Sequence, residues 1–181
     1  MVLRPFVPLG NGETLLSCVV RLGLFHTGMG PRRLLDDFGV SAERFAAGHA
    51  DEVARLAEAT GSDLGLLEGA AVRIAPRHVE FRGERLSKDF LVTRAARYCP
   101  NRLATRDRAD WEHRLVWGFR HVHRCPEHGV RLAATSDHLA VDLRQVIDAI
   151  DVRTEEPVAG EQPEYLDWLV ERLRSGAAVD D

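Results

Sequence analysis

Apolar positions in the first third of the chain recur at helical spacing between polar and glycine punctuation. Leu15, Val19 and Leu22 fall on one face of a segment from about Glu13 to Phe25, with Asn11 placed to cap it. Pro31 in a first turn and Gly39 past the end bracket a short helix carrying Leu34, Leu35 and Phe38, and Ser41 opens another through Phe45. A helix with Val53, Leu56 and Ala57 then stops at Gly61, and a second begins at Ser62, in helix-turn-helix order with Leu67 packing back on the first. That second helix, Asp63 to Ala71, has no Arg, Lys, Asn or Gln to read base edges, which favours a structural helical hairpin.

From Val72 the period changes. Val72 and Ile74 alternate, and Val79 to Leu86 predicts a small hairpin turning at Arg82-Gly83. The stretch Trp111 to Arg124 fits two templates, since Trp111, Leu115 and Phe119 suit a helix while Trp117, Phe119, His121 and His123 suit a strand. Farther on, Leu139, Leu143, Val146 and Ile150 mark an amphipathic helix opening near Ser136 or Asp137. A Pro/Gly/Glu linker, Thr154 to Gln162, follows, and Pro163 starts a last helix with Leu166, Leu169, Val170 and Leu173 on one face, ending at Gly176. The expected fold is therefore mainly α: an N-terminal helical bundle over residues 1–72, a basic segment with short β elements over 73–134, and C-terminal helices with an acidic tail over 135–181.

Composition narrows the class. Apolar residues at 45% and charged residues at 29% belong to a globular chain rather than a disordered one. No run approaches a membrane span, and the start lacks a secretory apolar core, so a cytoplasmic protein is expected. Three scattered cysteines, Cys18, Cys99 and Cys125, make a poor disulfide framework and suggest thiol or metal roles, with Cys18 read as a small buried side chain. The net charge of −4 hides an asymmetry: 14 basic against 7 acidic residues from Arg73 to Ala133, and 4 against 12 from Ala134 onward. The basic middle either faces phosphates or pairs with the acidic tail.

Between Tyr98 and Leu132 lie two matching turns, Cys99-Pro-Asn-Arg102 and, 26 positions after Cys99, Cys125-Pro-Glu-His128-Gly. A zinc knuckle needs two ligands separated by two residues in a tight turn, and Cys125 with His128 has that spacing. In the first turn Arg102 stands where a second Cys should. Either zinc is held by Cys99, Cys125, His128 and another residue or water, or the ion is lost and Arg102 holds the turn through hydrogen bonds. His113, His121 and His123 are the nearest candidates for a fourth ligand, His123 above all, because a strand there would place His121, His123 and Cys125 on one face. Extended structure would also give Arg114, Arg120 and Arg124 a common solvent face, which makes them the candidate nucleic-acid contacts. With no phosphate-cradling glycine loop, dinucleotide fingerprint or hydrolytic triad, no catalytic residue is assigned. A metal hydrolase would need Glu127 or Glu112 as its base, and each is more simply a surface carboxylate.

Glu13-Thr-Leu-Leu-Ser17 leading to Arg21-Leu22, then Tyr98-Cys-Pro100, then Trp117 eight positions before Cys125-Pro-Glu-His128-Gly129 and Leu132, resembles the TniQ family of bacterial transposition proteins. The resemblance implies a non-catalytic target-selection adaptor that connects a DNA site, or a DNA-bound targeting complex, to the ATPase regulator of a transposase, with dimer formation within its repertoire. It also implies a family zinc site to which Cys99, Cys125 and His128 correspond and from which Arg102 departs. A structural protein-interaction domain making no direct DNA contact is the alternative.

Overall fold

A computed structural model describes residues 3–92, 95–135, 150, 152–158 and 164–175. Among them are seven α-helices: α1 (Leu15–Thr27), α2 (Pro31–Asp37), α3 (Ala42–Ala46), α4 (Ala50–Thr60), α5 (Leu64–Ala70), α6 (Pro100–Ala104) and α7 (Glu164–Ser175). The strands are short. β1 (Arg73–Ile74), β2 (His78–Phe81) and β3 (Glu84–Ser87) form an antiparallel meander, and β4 (Arg97–Tyr98) pairs antiparallel with β5 (Ala133–Ala134). The architecture is mainly α with a Cys/His group and short β elements, as the sequence pattern predicts. No described helix is long and apolar enough to cross a membrane.

Local chemistry accounts for most of the helix ends. Thr14 caps α1 by accepting from the Ser17 amide at 3.3 Å, and Gly28 ends the helix in the left-handed conformation. The start therefore falls after Thr14, and Asn11 is not the cap. The reason is long-range pairing: Glu13 bridges Arg114, and the Thr14 amide donates to the His113 carbonyl at 2.8 Å, which holds the chain extended there. Pro31 opens α2 and Ser41 caps α3. In the hairpin, Gly61 closes α4, and Asp63 caps α5 by accepting from the Leu66 amide at 2.9 Å, so the second helix begins at Leu64 rather than Ser62.

The bundle core gathers Leu15, Val19, Leu35, Phe45, Leu56 and Leu67, and holds one buried carboxylate: Glu52 accepts from the Ser41 amide and from Arg44 Nε, both at 3.0 Å. A second core gathers around Trp117, with Phe81, Phe119, Val122, Val130, Leu132 and both Cys99 and Cys125. Leu166 of α7 is buried in this second core, and α7 is tied down by the Tyr165 hydroxyl donating to the His121 carbonyl at 2.9 Å. The β2–β3 hairpin turns at Arg82 and Gly83, both at positive φ (51° and 81°), the two-residue turn whose twist matches its strands.

Trp111 to Arg124 is neither helix nor strand. Leu115–Gly118 forms one 3-10 turn, and flanking residues make isolated bridges, Arg114 with Glu13, Leu91 with Phe119 and Arg124 with Arg131. The helix expected from Ser136 to Ile150 lies outside the described residues except for Ile150, which is buried in a cluster with Val20, Ala96, Leu103 and Trp111. Pro163 and Gly176, the expected ends of α7, also lie outside them.

Gly48 joins the bundle to the meander. Its φ is +72°, and a Cβ there would sit 2.4 Å from the Val72 carbonyl oxygen, beside the bond from the Ile74 amide to the Ala47 carbonyl at 2.8 Å. Gly48→Ala therefore combines a strained backbone with a clash against main chain, and a loss of roughly 2–4 kcal/mol in urea unfolding is expected. A loss below about 0.5 kcal/mol would show that the bundle and the meander are not held at this contact.

Candidate metal centre

Each Cys-Pro turn is built by its own sequence. Cys99 precedes Pro100 at the first position of α6, and its sulfur accepts from the Arg102 amide at 3.4 Å. Cys125 opens the second turn: the Gly129 amide donates to its carbonyl at 2.8 Å, its own amide donates to Val130 at 2.8 Å, and Gly129 takes φ +66°. The β4–β5 pair brings the two turns together, with Tyr98 opposite Ala133. Arg97 fastens the same place by donating to the carbonyls of Phe119 and, at 2.7 Å, Val122.

Cys99, Cys125 and His128 consequently converge. Their donor atoms lie within 4.8 Å of one another, with His128 Nδ1 at 3.5 Å from Cys99 Sγ and 3.4 Å from Cys125 Sγ. A tetrahedral ion with metal–sulfur about 2.3 Å and metal–nitrogen about 2.0 Å would hold such atoms about 3.5 Å apart, so these three donors fit one ion. Hydrogen bonds from Cys99 and from His128 hold the Cys125 thiol below its ordinary range despite its burial, while the Cys99 thiol is pushed up by its bond to Cys125 and by burial.

The fourth corner is different. Arg102 directs its guanidinium away from the sulfurs, to Glu127 and, at 3.2 Å, to Glu112. His123 and His121 are exposed and do not join the group, because the expected strand alternation does not persist through the Phe119–Val122 turn. Cys18 is buried with its sulfur 3.8 Å from the Val7 carbonyl, and burial followed by the Glu13 charge pushes its thiol up to about 12. It is an inert core side chain.

Of the three candidate phosphate contacts, Arg120 is exposed and Arg124 is half-buried. Arg114 points inward, donating to the Asn11 carbonyl and to Glu127 at 3.0 Å. Glu127 and Glu112 are likewise not free surface carboxylates. Burial works to raise the Glu127 carboxyl, but its bond to Arg114 and the charges of Arg102 and Arg114 hold it below the usual carboxylate range.

Beside the knuckle lies a polar cluster built on the Glu-x-x-x-Ser opening. The fully buried Glu13 carboxylate accepts from the Gly10 amide at 2.7 Å, Ser17 Oγ at 2.7 Å, and Arg21 Nε and Nη2 at 2.9 and 2.6 Å. Ser17 Oγ in turn accepts from the His113 amide at 2.9 Å. Gly10 sits between this cluster and the knuckle's: a Cβ there would meet Glu112 Oε1 at 2.8 Å and Glu13 Oε2 at 3.1 Å.

A TniQ family model matches residues 4–132, the stretch that holds both this cluster and the knuckle. The chain belongs to the TniQ family. The TniQ match spans the bundle, the meander and the knuckle and stops short of β5 and α7, although α7 contributes Leu166 to the knuckle core. Comparison with curated proteins yields no match.

His113 packs edge-on to Trp117 at 5.6 Å, with neither ring nitrogen hydrogen-bonded among the described residues, and burial brings its imidazole down to about 4. A depressed histidine pKa makes the unfolded chain bind the proton first, so this contribution is intact above pH 6.5 and lost progressively toward pH 4. Urea unfolding across that window is expected to show a loss of up to about 3 kcal/mol that His113→Phe largely removes. Parallel pH profiles for the two proteins would show that the buried imidazole does not carry this dependence.

Proposed function

We propose that this chain is a non-catalytic adaptor in DNA transposition, linking target DNA or a DNA-bound targeting complex to the ATPase regulator of a transposase. The observation that carries the reading is the family match over residues 4–132. The site supports it in a second way. The carboxylates a hydrolytic mechanism would draw on, Glu112 and Glu127, are both engaged by arginines. The knuckle reads instead as a rigid platform, and zinc is the ion its two sulfurs and one imidazole suit.

Direct DNA contact falls to the basic middle, with the exposed Arg120 and the half-buried Arg124 as the phosphate ligands and Arg114 supporting the platform from within. Clustered guanidiniums bind duplex DNA through counterion release, so the affinity falls steeply with salt. The test is a mobility shift of duplex DNA across a salt series, run beside capture of the transposon's purified ATPase regulator. Arg120→Glu with Arg124→Glu is expected to weaken DNA binding by roughly tenfold or more and to flatten the salt slope, leaving regulator capture intact. Capture of the regulator with no DNA shift even at low salt would move the function to protein bridging alone. Absence of both would overturn the adaptor reading.

A further inference from the structure

Arg102 stands at the fourth residue of the first Cys-Pro turn, the place His128 occupies in the second. A ligand in that place would complete four donors around Cys99, Cys125 and His128. Arg102 does something else with the position. Its backbone amide keeps the turn's hydrogen bond to the Cys99 sulfur at 3.4 Å, while its guanidinium crosses to the other turn and pairs with Glu127 Oε2. The second guanidinium nitrogen reaches Glu112 Oε2 at 3.2 Å. Arg114 takes the remaining Glu127 oxygen at 3.0 Å, and Arg106 shares Glu112 at 3.2 Å. The Arg102 side chain is only 12% exposed, so it is drawn into the junction between the turns instead of trailing into solvent.

We infer that this guanidinium clasp does the work of the fourth metal ligand, so that the two Cys-Pro turns stay closed whether or not an ion sits on Cys99, Cys125 and His128. A structural tetrahedral site holds two chain segments because its ligands come from both; removal of the ion lets them part. Here the crossing is made a second time by a charge-assisted pair between Arg102 of one turn and Glu127 of the other, backed by Glu112 and Arg114. The three donors that remain form a weaker ion site, whose occupancy the fold does not require. This inference concerns how the platform is held and is independent of what the platform binds.

The test uses the full chain expressed with zinc in the medium, its Tm measured with and without EDTA, alongside Arg102→Cys and Glu127→Gln. The wild-type Tm is expected to move by less than about 1 °C on chelation. Glu127→Gln, which keeps Arg102 and all three donors, is expected to lower Tm by about 2–6 °C in both conditions. Arg102→Cys supplies the missing thiolate, and it is expected to bind zinc at least about tenfold more tightly than wild type and to become EDTA-sensitive by several degrees. A wild-type protein that loses several degrees in EDTA, or a Glu127→Gln protein as stable as wild type in EDTA, would overturn the clasp. If Arg102→Cys does not fold, the EDTA response of the wild type and of Glu127→Gln decides.

Discussion

The Glu13 carboxylate is wholly removed from water, and the rest of the arrangement follows from what it takes to keep it charged there. An isolated buried carboxylate costs several kcal/mol, and only a full set of donors offsets that cost. Arg21, Ser17 and the Gly10 amide supply the set, two of them from α1 and one from the segment that leads into it. Ser17 also receives the His113 amide, and the Glu13 backbone bridges Arg114. A shift of α1 against the knuckle would strand one of these groups without a partner. Register between the two halves is thereby fixed by polar chemistry, while the amount of stability comes from the apolar cores on either side.

Gly10 extends the constraint. With Glu112 on one side and Glu13 on the other, a side chain at this position would have to displace a carboxylate, and the two polar clusters approach across it. From Glu112 the contacts run through Arg102 to Glu127 and Arg114, which returns to the Asn11 carbonyl. The Glu-x-x-x-Ser opening and the Cys/His knuckle, distant in sequence, are one physical object. The arginine at the fourth knuckle position therefore finds carboxylates ready to receive it. α7 lies beyond the family match and still seals the Trp117 core through Leu166, so the platform carries an added outer wall.

Local chemistry made much of this readable in advance. Pro31, Ser41 and Gly61 announce helix ends through capping and backbone freedom, and Arg82-Gly83 marks its turn between alternating apolar residues. The pairing of Cys99 with Cys125 and His128 followed from two copies of one turn. Hidden from the pattern was whatever depends on distant partners. Extended pairing of Glu13 and Thr14 delays the start of α1. Trp111 to Arg124 is set by single bridges and a 3-10 turn, so neither helical nor strand period applies, and His121 and His123 face outward as a result. Glu112, Glu127 and Arg114 look like surface charges until the fold brings them onto Arg102; nothing in their spacing reveals it.

The central claim is that the buried Glu13 cluster and the knuckle form one mechanical unit. Hydrogen exchange read by mass spectrometry on Glu13→Gln tests it most directly, because the substitution keeps the side chain's size while removing its charge and setting an amide donor against one pair of donors that now meets an oxygen. The account predicts faster exchange both in α1 and in the knuckle, at the β4–β5 pair and the Cys125–Gly129 turn. Acceleration confined to α1, with the knuckle amides exchanging as in wild type, would contradict it.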